Sequence, residues 1–251
     1  KTRAIVVVHL FGQCCDMEKI IQIAEQNHLY VVEDNAQSLG AEVLFADGSR
    51  RKAGTIAHIG TTSFFPSKPL ACYGDGGAVM TADERLAERI RMIANHGQQQ
   101  KYHHKIIGCN SRLDTLQAAV LDTKLPHLDA FTEARRQVAE RYDEAFGNDP
   151  RWQIPVRASY STHVYHQYTL QVADGQRDGL QQYLREKGIP SMIYYPLPLH
   201  KQAAFYGFSR IGSVLSASEK LVQSVLSLPI HTEMAPEEVD YIIETVCNYG
   251  K

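Results

Sequence analysis

Ala4-Ile5-Val6-Val7-Val8 and Leu29-Tyr30-Val31-Val32 are the two stretches that decide the fold class. Both are unbroken apolar runs, the pattern of a strand buried on both faces of a parallel sheet. Between them Asp16 opens a helical pattern with Ile20, Ile21, Ile23 and Ala24 on one stripe, closing near Asn27-His28. Strand, helix and strand in that order form a right-handed βαβ unit with parallel strands. Ligands of such sheets gather beyond the carboxyl ends of the strands. The second run ends at Glu33-Asp34, so Asp34 stands at such an end, as does the turn after His9.

Working outward, Ile59 to Phe65 and Gly77 to Thr81 read as two further strands with a polar loop between them. Asp83 begins a helix that runs to Asn95, with Gly97 as its stop. Arg112 to Lys124 reads as another helix, and Pro126 starts a longer one ending at Phe146. Asn148-Asp149-Pro150 marks a boundary. Beyond it follow a strand over Tyr165 to Val172, a helix over Arg177 to Lys187 and a strand over Ser191 to Tyr195. Helices around Ser216 to Ser227 and Pro236 to Asn248 complete the chain. The expected architecture is α/β: a mostly parallel large domain over 1–125, a connecting helix over 126–150 and a small α+β domain with an antiparallel sheet over 151–251. A buried-type strand at residue 4 needs neighbours on both sides, so the chain is expected to lack an N-terminal part.

Composition narrows the function classes. A net charge of -2 over 251 residues, with no Lys/Arg run, argues against nucleic acid or an anionic membrane as partner. No apolar stretch is long enough to span a bilayer, and no signal peptide is legible, so the expected location is the cytoplasm. Five cysteines (Cys14, Cys15, Cys72, Cys109, Cys247) without a C-x-x-C pair read as reduced thiols, not a disulfide framework or a zinc site. His96, His103 and His104 fit no helical metal spacing, and no metal is expected.

The chemistry lies in Thr61-Thr62-Ser63-Phe64-Phe65-Pro66-Ser67-Lys68-Pro69-Leu70, followed by Gly74-Asp75-Gly76-Gly77. Lys68 sits on a turn after an apolar strand, and Asp34 ends another. A lysine that can form an imine and a carboxylate that keeps a pyridine nitrogen protonated are what pyridoxal phosphate (PLP) takes from a protein. The three glycines serve the backbone geometry of the turn. Taken alone, an Asp at a strand end is also a common cap, and Ser and Gln near turns are common in any fold.

Together with Val8-His9-Leu10-Phe11-Gly12, Glu33-Asp34-Asn35-Ala36-Gln37, Gly108-Cys109-Asn110-Ser111-Arg112-Leu113-Asp114 and Tyr195-Pro196-Leu197-Pro198-Leu199-His200, these motifs make the chain resemble the DegT/DnrJ/EryC1/StrS family of sugar aminotransferases. The resemblance implies PLP-dependent transferase fold type I, with PLP as cofactor and the family's first third absent from this chain. It implies Lys68 as the Schiff-base lysine and proton-transfer base, and Asp34 as the partner of the pyridine nitrogen. Gln37 would lie against the ring or its oxygen, and Ser63 would hydrogen-bond the phosphate. Asn110 would reach the phosphate of the neighbouring subunit, making a homodimer with composite sites.

His9, Arg112, Tyr195 and His200 are candidates for substrate contact; His9 is equally a core histidine, and Arg112 an ion-pair residue at a helix start. The implied reaction moves an amino group from L-glutamate to a nucleotide-linked keto-sugar. The wording around Lys68 is most similar to members acting at C3 of a UDP-2-acetamido-3-keto-hexuronic acid in O-antigen synthesis. A C4 keto-hexose aminotransferase and a PLP-binding module without turnover are the alternatives. A desulfurase reading would need a mobile nucleophilic cysteine, and the family's dehydratase branch lacks the lysine.

Overall fold

The βαβ unit forms as its periodicity dictates. Strand β1 (Ala4–Val8) pairs in parallel with β2 (Tyr30–Asp34), setting Val8 beside Asp34, and helix α1 (Met17–Gln26) connects the two strands. The Asp16 side chain accepts the Lys19 N–H at 3.3 Å and caps α1. Met17, Ala24, Val7 and Val31 are buried together, with Ile20 and Ile21 packed against them. Fully burying a Val, Ile or Met side chain of this kind is worth about 1.5–3 kcal/mol.

The computed structural model describes residues 1–173, 175–205, 207 and 214–250. Two compact units divide the chain: residues 1–133 with 157–166, and residues 134–156 with 167–251. In the first, β5 (Ile59–Ser63) adds in parallel to β2 and β6 (Gly77–Met80) adds antiparallel to β5, in the order β1-β2-β5-β6. The intervening hairpin β3 (Glu42–Leu44) and β4 (Arg50–Lys52) turns at Asp47-Gly48. Helix α2 (Glu84–Ala94) leads to a second hairpin, β7 (Gln98–Gln100) with β8 (His103–His104), and then to α3 (Thr115–Lys124). Among the described residues β1 pairs only with β2, and Val6 is 67% exposed, as expected of a buried-type strand with one neighbour in this chain.

Helix α4 (Leu128–Phe146) crosses from the first unit into the second, so the units divide inside the helix expected to connect them. Residues 157–166 return to the first unit, where the Ser161 hydroxyl accepts the Cys14 N–H at 2.9 Å. The second unit holds the antiparallel strands β9 (Trp152–Gln153), β10 (Tyr168–Val172) and β11 (Val225–Leu228), with β10 central. Helices α5 (Arg177–Glu186), α6 (Ser216–Ser224) and α7 (Pro236–Asn248) belong to the same unit. Its core includes Tyr142, whose ring lies 4.9 Å from Tyr168 and whose hydroxyl donates to the Pro229 carbonyl at 2.9 Å.

Four expected elements differ. The helix after Asn110 starts at Thr115 behind Asp114, so Arg112 precedes it rather than opening it. Tyr165 has a φ of 48° and the strand begins only at Tyr168, because a β-strand does not accommodate that backbone. Ser191 to Tyr195 is not a strand; Met192 makes a single bridge to Ser227. The helix from Ser216 stops at Ser224, and Val225 to Leu228, buried throughout, pairs with β10.

Candidate active site

Parallel pairing of β2 with β5 sets Asp34 beside Thr61, two residues before Ser63 and just ahead of the Lys68 loop. That loop is closed at its neck. Cys72 N–H donates to the Phe64 carbonyl at 2.9 Å, Phe64 N–H donates to Gly76 at 2.8 Å, and Lys68 N–H donates to Phe65 at 2.9 Å. The Cys72 thiol, 1% exposed, contacts the Phe64 and Gly74 carbonyls, both at 3.1 Å. Cys72 is therefore a buried clasp. Desolvation pulls the Lys68 amine below the usual lysine range, while the Asp34 carboxylate opposes that shift by its charge. The two groups are thus close enough to interact, and the amine is biased towards its uncharged, nucleophilic form.

Asp34 is half-buried. Its Oδ1 accepts the Ala36 N–H at 3.0 Å, a local turn contact that orients the carboxylate and leaves it acceptor capacity. Gln37 is buried, and its Oε1 accepts the Phe11 N–H at 2.6 Å, so any donation by this amide comes from Nε2. Ser63 Oγ accepts the Phe65 N–H at 3.2 Å.

The remaining expected residues are dispersed. Asn110 is exposed and its Oδ1 accepts from Arg112 Nε at 3.0 Å. In the second unit Tyr195 is exposed, and His200 Nε2 lies 3.2 Å from Glu219. Among the described residues no hydrogen bond joins Arg112 to the Lys68 loop. His9 does not face solvent at all: it is 0% exposed, which corrects its place among the substrate-contact candidates.

His9 instead pairs with a residue to which the sequence reading assigned no role. Its Nε2 lies 2.9 Å from Glu33, also 0% exposed. Glu33 further accepts N–H bonds from Gly54 at 2.8 Å and from Ile56 and Ala57 at 2.7 Å. Burial alone would raise the Glu33 carboxyl; the His9 bond and the three backbone bonds outweigh it and hold the group below the usual carboxylate range. For His9, burial works against a second proton, while the Cys15 contact and the Glu33 carboxylate favour one. Against that, Cys15 N–H donates to Nδ1 at 3.1 Å, and a proton there would set two donors face to face. The hydrogen-bond geometry decides the matter: the ring carries one proton, on Nε2, given to Glu33. The clue in the sequence is a second acidic residue at the end of an apolar run, one position from Asp34 and therefore facing the other way.

A DegT/DnrJ/EryC1/StrS aminotransferase family profile matches residues 1–247. The chain belongs to this family. Relatives in it include the "pleiotropic regulatory protein" of Geobacillus stearothermophilus, 43% identical over 99% of this chain and 66% of the relative. A UDP-N-acetyl-3-dehydro-alpha-D-glucosamine 3-aminotransferase of Acidithiobacillus ferrooxidans is 40% identical over 98% and 64%. A UDP-2-acetamido-2-deoxy-3-oxo-D-glucuronate aminotransferase of Pseudomonas aeruginosa is 39% identical over 99% and 66%. The crystal structure of a DegT/DnrJ/EryC1/StrS aminotransferase from Brucella abortus superposes with a TM-score of 0.91 at 40% identity, covering 99% of this chain and 65% of that one. The fold is that of the PLP-dependent transferases of type I. The chain spans just under two thirds of the length of these relatives.

Proposed function

We propose that this chain is the larger part of a PLP-dependent aminotransferase that moves an amino group from L-glutamate to the keto group of a nucleotide-linked sugar. Lys68 carries the reading: a half-buried amine biased towards its uncharged form, facing a carboxylate at the end of the neighbouring strand. The family is PLP-dependent, and the donor set present fits the cofactor: an amine, a carboxylate, a hydroxyl and an amide at adjacent strand ends. When bound, PLP supplies an electron sink that lowers the barrier to removing a proton from the amino-bearing carbon.

Each residue has a separate task in that chemistry. Lys68 binds the cofactor through Nζ and later takes and returns the proton at that atom. Asp34 holds a proton on the pyridine nitrogen, which a carboxylate does and an amide does not. Gln37 donates from Nε2 to the ring oxygen, and the Ser63 hydroxyl donates to the phosphate. The two relatives named for UDP-linked 3-keto sugars support amination at C3, and the one named for a glucuronate supports a UDP-2-acetamido-3-keto-hexuronic acid as the acceptor, which we assign to surface polysaccharide synthesis. Arg112, Tyr195 and His200 are the proposed contacts to that substrate, and the enzyme acts in the cytoplasm.

The proposed assembly is a homodimer with composite sites. Ile107, 97% exposed, and Leu116, 80% exposed, lie on either side of Asn110 in the sequence, and such exposed apolar side chains support a subunit interface there. Asn110 then supplies its amide to the phosphate held by the partner subunit. Mixing Lys68→Ala with Asn110→Ala chains under subunit exchange should restore part of the activity, since each heterodimer keeps one site with both residues. Exchange without recovery contradicts the composite site.

Borohydride reduction of the full-length, PLP-loaded protein followed by peptide mass mapping tests the lysine assignment. We expect one modified peptide, carrying Lys68, and none in Lys68→Ala. A reduced adduct on another lysine contradicts it.

A further inference from the structure

Glu33 and Asp34 are consecutive on β2, so their side chains leave opposite faces of the sheet. Asp34 faces the Lys68 loop, and Glu33 faces the interior, where four N–H donors take up its acceptor capacity. Its four donors come from two directions: His9 just beyond β1, and Gly54, Ile56 and Ala57 on the segment leading into β5. One buried carboxylate therefore ties the ends of β1 and β2 to the chain that feeds β5.

The backbone is shaped for this tie. Gly54 has a φ of 82°, and a Cβ on Gly60 would lie 1.8 Å from the Gly54 carbonyl oxygen, so only glycine permits the approach. From the other side, His9 N–H donates to the Asp34 carbonyl at 3.0 Å, and Ser38 Oγ donates to the His9 carbonyl at 2.6 Å. His9 thus holds both ends of the turn that carries Asp34 and Gln37.

Stability alone does not call for this arrangement. A buried carboxylate paired with a polar ring is commonly matched or bettered by an apolar pair of similar volume. What a saturated network adds is a single geometry. We propose that the His9–Glu33 pair is a positioning unit for Asp34 and Gln37, fixing the end of β2 against both neighbours so that the two side chains meet the cofactor at a set depth. The inference rests on Asp34 being the ring-nitrogen partner.

The test is a double-mutant cycle on the full-length, PLP-loaded protein with Glu33→Gln, Asp34→Asn and both together. PLP dissociation constant, visible absorption band of the bound cofactor and melting temperature are read for each. Glu33→Gln should weaken PLP binding about tenfold, as loss of an outer-shell partner does, and shift the band. In the Asp34→Asn background the same change should add little, because the pair acts through Asp34. Equal effects in both backgrounds, or a lower melting temperature with unchanged band and affinity, overturn the proposal and leave the pair a purely structural contact. If Glu33→Gln does not fold, His9→Gln, which keeps three of the four bonds to Glu33, is carried through the same cycle with the same outcomes. Failure of the underlying reading is separately visible: Asp34→Asn alone would then leave affinity and band unchanged.

Discussion

The two carboxylates at the end of β2 share a strand, a chain position and a charge, and almost nothing else. Glu33 is sealed from solvent with four N–H donors around it. Asp34, one residue on, is half-buried with one backbone donor and a lysine opposite. A saturated carboxylate has nothing left to offer a ligand, so its contribution is to stability and geometry. A carboxylate left partly unsatisfied keeps its capacity for a cofactor. The strand pleat separates the two roles across one peptide bond.

The comparison breaks most visibly at Glu33. Glu33→Ala removes the acceptor for three backbone N–H groups and for buried His9, and should cost about 3–5 kcal/mol of unfolding free energy. Urea denaturation measures it, and a loss under about 1 kcal/mol would show that the network is not held as described. The same site fixes a pH dependence. Because the folded Glu33 pKa lies below its unfolded value of about 4.3, the unfolded chain binds the proton first as pH falls. The stabilisation is present above that value and is lost as pH drops through the folded pKa. Glu33→Gln should therefore show a flatter fall of stability than wild type below about pH 4.

Asp34→Asn reverses the pattern. Turnover by the full-length enzyme should fall about a hundredfold or more, while urea stability changes by less than about 0.5 kcal/mol, since Asn still accepts the Ala36 N–H. Steady-state rates beside denaturation curves report both numbers. A variant that is unstable yet active would interchange the roles assigned to the two residues.

Much of this was legible before any coordinates. The apolar runs at residues 4–8 and 29–32 fix the βαβ unit because periodicity is a local property, and the Lys68 and Asp34 motifs lie at strand ends for the same reason. His9 was left open between substrate and core, and only its 2.9 Å contact with Glu33 closes the question. That contact joins residues brought together by strand pairing, which no linear pattern states. Val225 to Ser227 falls within the helix expected from Ser216 because a short apolar run is ambiguous by period alone; its pairing with β10 makes it strand. The β3–β4 hairpin, by contrast, carried its own signal in Asp47-Gly48 and went unread.

The central claim is that Lys68 and Asp34 form the working half of an amino-transfer site. Adding L-glutamate without acceptor sugar to the full-length, PLP-loaded protein tests it most directly, with visible absorption followed over time and the cofactor then identified by mass. The account predicts loss of the visible band, release of one equivalent of 2-oxoglutarate per site and recovery of the cofactor as pyridoxamine phosphate, all absent in Lys68→Ala. A band that persists through glutamate addition while PLP stays bound, or equal conversion in Lys68→Ala, would contradict it.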